Sequence, residues 1–454
     1  GGAILYLLLK NYLARCEDGP PYLRRFRGQR VFERVMVAVS WRGARFMESR
    51  LGTRRLQPQL RLLVVVAVIA AAWPFYRLGF DPGRLTVQGA DVPFAGIWAI
   101  GVLCALGAAW QAKFHRLFAL ILLGGAGLVT CITFVWFSAP DLALTQLLVE
   151  VVTTVLILLG LRWLPKRSTD VTPGLATTGA RLRRYRDLAM AVTCGTGMTM
   201  IAYAVMTRTP PATIADFFLT KAYSEGGGRN VVNVILVDFR GFDTFGEITV
   251  LSIVALTVFA LLRRFRPAPD NVAPPEQQRL QRAFDEARPA REAGDTVSDY
   301  LLIPAVIMQW LFPVIIVFAA YLFMRGHDLP GGGFVAGIAL ATAFILQYLA
   351  AGTRWVEDRL RVLPVNWIGF GLLLAALVGA GSWLFGYPFL TSYSGYVELP
   401  LIGSVPAASA TLFDLGVFSL VLGATVLMLI ALAHQSIRRL RASRIAAQGN
   451  EEIA

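Results

Sequence analysis

The chain has 454 residues, 56% hydrophobic and 16% charged, and its 43 Lys and Arg against 29 Asp and Glu give a net charge of +14. A mean hydropathy of +0.58 excludes an ordinary soluble domain, which must cover itself with polar residues. The basic residues lie between apolar runs and form no nucleic-acid motif or basic–aromatic platform, which argues against nucleic acid as a partner.

Other absences narrow the field further. There is no GxxxxGK(S/T) phosphate loop, no HExxH, no Ser-His-Asp order and no pair of histidines at axial-ligand spacing. ATP hydrolysis is therefore unsupported, and no cofactor is expected. Cys16, Cys104, Cys131 and Cys194 make no CxxC. They read as small packing residues rather than a zinc site or a disulfide framework.

Residues 1–60 come first. The apolar run ending at Leu9 is too short to span and lacks a signal-peptide cleavage pattern, so it reads as the last turns of a longer helix. Residues 11–60 are crowded with arginines, while Val31, Phe32, Val35, Met36, Val39, Phe46, Met47 and Leu51 fall on one helical face. Such a segment suits the headgroup plane of a lipid bilayer or a neighbouring protein of a complex; amphipathicity alone does not separate the two.

Spanning the hydrocarbon takes about 20 apolar residues as a helix. Runs of that kind lie at 62–79, 94–112, 117–137, 140–163, 188–207 and 245–262. A charged linker with Pro267, Pro269, Pro274 and Pro275 follows, with a short surface helix expected after them. Further runs lie at 300–324, 334–352, 364–386 and 409–434, and the tail is basic, then polar. None shows the alternation of barrel strands, so the expected fold is all-α: a polytopic helical membrane protein of about ten transmembrane helices plus an amphipathic interfacial helix. The domains read as 1–60, 61–266, the linker 267–298, 299–442 with four helices, and the tail 443–454.

The positive-inside rule tests that count. With residues 11–60 in the cytoplasm and strict alternation, the arginine-rich stretches near Arg183, Arg263, Arg359 and Arg438 all fall inside. Segments 80–93 and 387–408 fall outside and are nearly free of basic residues. The exception is 208–244, with Arg208, Lys221, Arg229 and Arg240; it is long, and long loops obey the rule loosely.

Glu150 is the most informative side chain. It sits nearly midway along the run 140–163, where a charge costs about 2.5–3.5 kcal/mol on insertion scales. It is either neutral or faces a wet or cation-bearing path, which makes it a candidate carrier of protons or cations. Gln146 is four residues away on the same face, and Thr153 and Thr154 add hydroxyls one turn on. Asp141, after Pro140, reads first as a helix cap. Asp238, Arg240, Asp243 and Glu247 suggest a charge cluster at the membrane surface, with Arg240 paired to either Asp. Because 231–262 is too long for one untilted span, a short interfacial or re-entrant segment is expected there, followed by a helix from about Phe245. His327 lies in the turn Gly326 to Gly333, where an imidazole is a candidate proton-exchanging group; Gly and Pro also make this a plain hairpin. Asp414 is shallow in the last span. His115 and His434 read as loop residues.

These strings have a family look. The stretch from Phe137 to Val152, holding Pro140, Asp141, Gln146 and Glu150, resembles the A-type subunit of the Mrp-type multisubunit sodium/proton antiporters, as does Val237 to Glu247. The turn from Gly326 to Phe334 and the run Phe413 to Phe418 resemble the B-type subunit of that family, fused here after the A-type portion. The resemblance covers about 61–436. It implies a bacterial inner-membrane complex of several small subunits that exchanges Na⁺ for H⁺, with functional acids at the positions of Glu150 and Glu247. Sodium takes oxygen ligands, so Glu150, Gln146 and Thr154 become candidate Na⁺ ligands. The first region also resembles the J-type subunit of respiratory complex I, which implies a π-bulge near Glu150. The long amino-terminal antiporter-like region of the A-type subunits is absent from this sequence. The competing readings are an assembly scaffold without its own ion path and the membrane arm of a redox-coupled, hydrogenase- or complex I-like ion pump.

Overall fold

The structure, a computed structural model, describes residues 2–14, 28–52, 56–80, 83, 89, 91–112, 115–161, 178–209, 213–264, 302–360, 362–399 and 403–451. The linker helix expected after Pro275 and Cys16 lie outside them. In chain order the helices are α1 (Gly2–Ala14), α2 (Gly28–Met36), α3 (Ala44–Leu51), α4 (Leu56–Leu78), α5 (Val92–Gln111), α6 (Arg116–Trp136), α7 (Pro140–Leu161) and α8 (Thr178–Met206). They continue as α9 (Ala215–Ser224), α10 (Val231–Val234), α11 (Gly241–Arg264), α12 (Leu302–Arg325), α13 (Gly333–Ala351), α14 (Thr353–Leu360), α15 (Pro364–Gly381) and α16 (Ser409–Glu451).

Ten helices among the described residues are long and apolar enough to cross a membrane, and they coincide with the ten apolar runs. The one exception to the all-α reading is a short antiparallel hairpin, β1 (Ser394–Leu399) against β2 (Gly403–Ala408), in a segment read as loop. The tail after residue 442 continues α16 as helix to Glu451.

The chain folds as two compact units. One comprises residues 1–88 and 171–210, the other 89–170 and 211–454. In the first, α2 runs through a π-helical turn, Val37–Gly43, into α3. The Ser40 hydroxyl bonds back to the Met36 carbonyl there, and Arg45 stacks on Trp41 at 4.5 Å. Its apolar residues Val31, Phe32, Val35, Met36, Val39, Phe46 and Met47 are all exposed. Within the same unit, Arg61 of α4 pairs with Asp187 of α8 at 3.3 Å.

In the second unit, α5, α6 and α7 pack in sequence. The α6–α7 corner turns through Ser138, at φ 57°, and Pro140 starts α7. The core lies between α13 and α16. Leu420, Val421, Leu422, Ala424, Val426, Leu427, Leu429 and Ile430 of α16 are all buried, with Phe413 and Val417 before them; this stretch is enclosed on every side, as a helix apolar all round should be. Helix α15 crosses α16 closely because both lack side chains at the contact. A methyl group at Gly371 would lie 2.5 Å from the Gly416 carbonyl oxygen, and one at Gly416 would lie 2.7 Å from that of Gly371.

The stretch 231–262 is broken, as its length demands. After α10 comes a π-helical turn, Ile235–Phe239; the chain breaks at Arg240 and α11 begins at Gly241. The Thr244 hydroxyl donates to the Leu236 carbonyl at 2.7 Å, across the break. The π-bulge expected near Glu150 is absent: α7 is α-helical throughout, and the π-turn of this unit falls at 235–239 instead. The ladder of α7 is regular from Pro140 to Leu161, so no extra residue is inserted there.

Gly416→Val is expected to destabilise the folded protein by about 1–3 kcal/mol, as overpacking does. Thermal unfolding of the detergent-solubilised protein checks this; an unchanged midpoint would mean that α15 and α16 do not cross there.

Candidate functional site

Glu150 points from α7 into the gap against α6. A cavity of about 300 Å³ opens there, lined by Gly124, Gly127, Leu128, Cys131, Leu147, Glu150, Val151, Thr154 and Val155. Apart from the Glu150 carboxylate and the Thr154 hydroxyl, this lining is apolar or weakly polar. Gln146 donates from Nε2 to Glu150 Oε2 at 3.3 Å, which bears out the shared face of the two residues. Thr153 turns outward and is exposed.

Gly127, on α6, is a site residue that the reading of the sequence misses. A methyl group there would lie 2.5 Å from Glu150 Oε2 and 2.6 Å from Cδ, whereas one at Gly124 would stay 4.0 Å from Oε1. The glycine therefore makes the seat for the carboxylate. The available signal is the run Gly124, Gly125 and Gly127 inside an apolar helix, which marks a close approach by something.

A second polar site lies at the end of the unit where 138–141, 226–240, 326–333 and 392–394 meet. Asp141 is a link there rather than the expected cap. Its Oδ1 accepts from Asn230 Nδ2 and from the Gly331 N–H, both at 3.2 Å, so its described partners come from other segments. Asn230 also donates to the carbonyls of Gly326 at 3.0 Å and Leu329 at 3.1 Å, and its Oδ1 accepts from the Asn233 N–H. One buried amide thus ties α7, α10 and the 326–333 turn together. Asn is common in surface loops, which hides both Asn230 and Asn233 in the sequence.

The turn itself is strained in the way only glycine accepts. Gly332 has φ 95°, and its missing side chain makes room for Asn233 and Asp414. Asp414 is buried, at 7% exposure, and accepts from the Gly333 N–H at 2.7 Å. His327 contacts the Gly226 carbonyl through Nε2 at 3.1 Å, and its own carbonyl accepts from the Asn230 N–H at 3.0 Å.

The four charges at 238–247 do not form one cluster. Asp238 turns inward and accepts from the Ser392 hydroxyl. It lines a cavity of about 380 Å³ with Glu225, Phe239, Phe389, Leu390, Thr391 and Ser392. Burial raises its carboxyl above the ordinary 3.8 and Glu225 adds to this, against the Ser392 hydrogen bond and His327, which lower it. Arg240 pairs with Asp243, and both are largely exposed, so the pair contributes little. Glu247 is exposed on α11 with no hydrogen bond or ion pair among the described residues, and it does not meet Glu150. His434, read as a loop residue, lies on α16 and contacts Glu357 Oε1 at 2.6 Å. No group of three or more His, Cys, Asp or Glu among the described residues is arranged to hold a metal ion.

The seat and the inward acid each have a measurable consequence. Gly127→Ala is expected to displace the Glu150 carboxylate and lower ion exchange by roughly tenfold or more, while Gly124→Ala leaves it near wild type; equal effects in everted vesicles would remove the seat. For Asp238, a folded value above the unfolded one means tighter proton binding in the folded state. Its contribution to stability is full below about 3.8 and is lost as pH rises through the raised folded value. Thermal melts of wild type and Asp238→Asn should therefore diverge as pH rises, with the variant relatively more stable.

The chain matches known proteins along most of its length. Three family models match in succession: that of the MBH D-type subunit over residues 100–166, that of the MBH E-type subunit over 182–279, and the "Domain related to MnhB subunit of Na+/H+ antiporter" over 303–427. The chain is 64% identical over 453 residues to a probable K(+)/H(+) antiporter A/B subunit of Rhizobium meliloti, covering 100% of this chain and 45% of that protein. It is 47% identical over 116 residues to the B-type Na(+)/H(+) antiporter subunit of Bacillus subtilis, 25% of this chain and 79% of that protein. The solved structure of the Mrp complex from Dietzia sp. DQ12-45-1b contains a chain that superposes with a TM-score of 0.69 at 26% identity, over 95% of this chain and 44% of that one. The chain thus spans a little under half the length of the longer relatives it matches. With its B-like portion matched over most of a separate relative and its whole length continuous with a joined A/B relative, the chain belongs to the Mrp-type antiporter subunits, uniting the carboxyl-terminal part of an A-type subunit with a B-like domain.

Proposed function

We propose that this subunit contributes intramembrane acids to the ion path of a multisubunit monovalent cation/proton antiporter in a bacterial inner membrane. Its basic loops and carboxyl terminus face the cytoplasm in this reading, and other Mrp-type subunits complete the path. One observation carries the proposal: the Glu150 carboxylate lines a cavity between two spans and has an amide, not a basic residue, as its described partner. An acid at that depth is costly unless it is protonated or meets a cation.

The chemistry is exchange on one carboxylate. Protonated, Glu150 is neutral and compatible with its apolar walls. Ionised, it attracts a small cation, for which Gln146 and Thr154 add neutral oxygens beside it. A single charged ligand holds Na⁺ or K⁺ loosely, which suits a cargo ion that must leave. Glu247 and Asp243 lie on an exposed face of α11 with Val250 and Val254; their part in the path depends on a neighbouring protein of the complex. The well-packed 299–442 domain docks other subunits, so its role is assembly as well as transport. On this reading the chain is a transporter component rather than an enzyme.

In the intact complex, Glu150→Gln is expected to abolish antiport in everted vesicles while assembly on native gels stays normal. Full activity at normal assembly would overturn the carrier role and leave the scaffold reading. Loss of assembly on removing residues 299–442, with each acid individually dispensable, would point the same way.

A further inference from the structure

We propose that Asp414 is a second proton-binding residue of this subunit, set in the hydrogen-bonded joint at 230–233 and 331–333 and independent of Glu150.

Asp414 is the sixth residue of α16, and its carboxylate is closed in by α10, α13 and the 326–333 turn. Two donors reach it: the Gly333 N–H at 2.7 Å and the Asn233 side chain. A carboxylate has about four acceptor sites, so two donors satisfy it only in part. No basic side chain among the described residues forms an ion pair with it. Helices α13 and α15, which pack against α16, carry no charged residue at all. The charged and titratable groups on the other neighbouring elements are engaged elsewhere or exposed. Asp141 bonds Gly331, His327 contacts Gly226, Asp238 bonds Ser392, and Arg325 donates from Nη1 to Tyr321. Asp328 accepts from the Arg229 N–H, and Asp243 and Glu247 of α11 are exposed.

The second observation is independent of that carboxylate. Asn233 is 7% exposed, and its Oδ1 is buried without a hydrogen-bond partner. A buried amide oxygen left without a donor is unfavourable. It is a ready acceptor one amide group away from the acid. When Asp414 is ionised, Asn233 donates to it from Nδ2. When Asp414 is protonated, the amide turns over and Oδ1 accepts the new O–H. The two ends of an amide are nearly the same size, so this exchange needs almost no space. Each protonation state therefore has its own partner.

Packing decides between a proton and a metal cation. A methyl group at Gly333 would lie 2.6 Å from Asp414 Oδ1 and 3.0 Å from Cγ, and one at Gly332 would lie 3.4 Å from Oδ2. A proton needs no volume, whereas Na⁺ or K⁺ would have to push these chains apart.

Infrared difference spectroscopy of the intact complex tests this directly. A protonated carboxylic acid has its own C=O stretch, which should fade as pH rises, vanish in Asp414→Asn and persist in Glu150→Gln. Antiport by assembled Asp414→Asn should fall by roughly a hundredfold, the effect of removing a positioned proton carrier. Asn233→Asp sets a second carboxyl beside the first, and like charges disfavour ionisation, so the fade should move to higher pH. A spectrum unchanged in Asp414→Asn, or wild-type antiport in that variant, overturns the proposal. Should that variant fail to assemble, Asn233→Asp decides: a fade that does not move overturns it.

Discussion

Backbone and side-chain polar groups in the hydrocarbon must find partners inside the protein, because the lipid offers none. Two breaks in this chain bring that constraint to a head, at Arg240 and between Arg325 and Gly333. The first is closed by its own neighbours, with the Arg240 N–H on the Ile235 carbonyl and the Thr244 hydroxyl on that of Leu236, and the second by side chains from elsewhere in the chain. The amide of Asn230 takes the Gly326 and Leu329 carbonyls, its backbone N–H takes that of His327, and Asp141 takes the Gly331 N–H. The turn of the B-like domain is thus held by side chains of the A-like part. In Bacillus subtilis the matching proteins are named separately as A-type and B-type subunits. In this chain the corresponding parts are joined by covalent linkage as well as by these bonds.

The half-buried Glu150 and the buried Asp414 show opposite solutions to the same energetic problem. Glu150 has room, apolar walls and one weak partner at 3.3 Å. Asp414 has no room but has close donors and the start of α13, whose N–H groups favour negative charge. A roomy site can exchange a bulky cation for a proton. A tight one can exchange only the proton. In the proposed reading, one site selects between ions and the other follows proton binding alone.

Much of the fold was legible because the bilayer imposes a simple length rule. The ten apolar runs became ten spans within a few residues, and the overlong stretch 231–262 broke where its charges and Gly241 stand. Glu150 and Gln146 were legible for the same reason, since a polar pair four apart in an apolar run has one geometric meaning. What escaped was tertiary. Asn230 and Asn233 look like loop residues until other segments arrive, and Gly127 matters only because a carboxylate lies against it. Asp141 follows a proline at a helix start, so local rules make it a cap; its actual donors are 89 and 190 residues away. The expected bulge near Glu150 came from likeness to another family rather than from these residues, and nothing in the apolar ladder of α7 calls for it.

The sidedness proposed for the chain rests on the arginine count, and packing bears only on which segments share one end of the unit. Counting arginines assigns the segments near 138, 208–244, 325–333 and 387–408 to one side of the membrane. Packing brings residues 141, 226–240, 326–333, 392–394 and 414 to one end of the unit through hydrogen bonds that take no account of charge bias. At the other end, Glu357 meets His434 next to the arginine-rich stretches read as inside. On that reading the polar joint is an outward-facing element, about two and a half helical turns along α7 from Glu150. Glu150 and the joint that holds Asp414 thus stand at different levels along the unit.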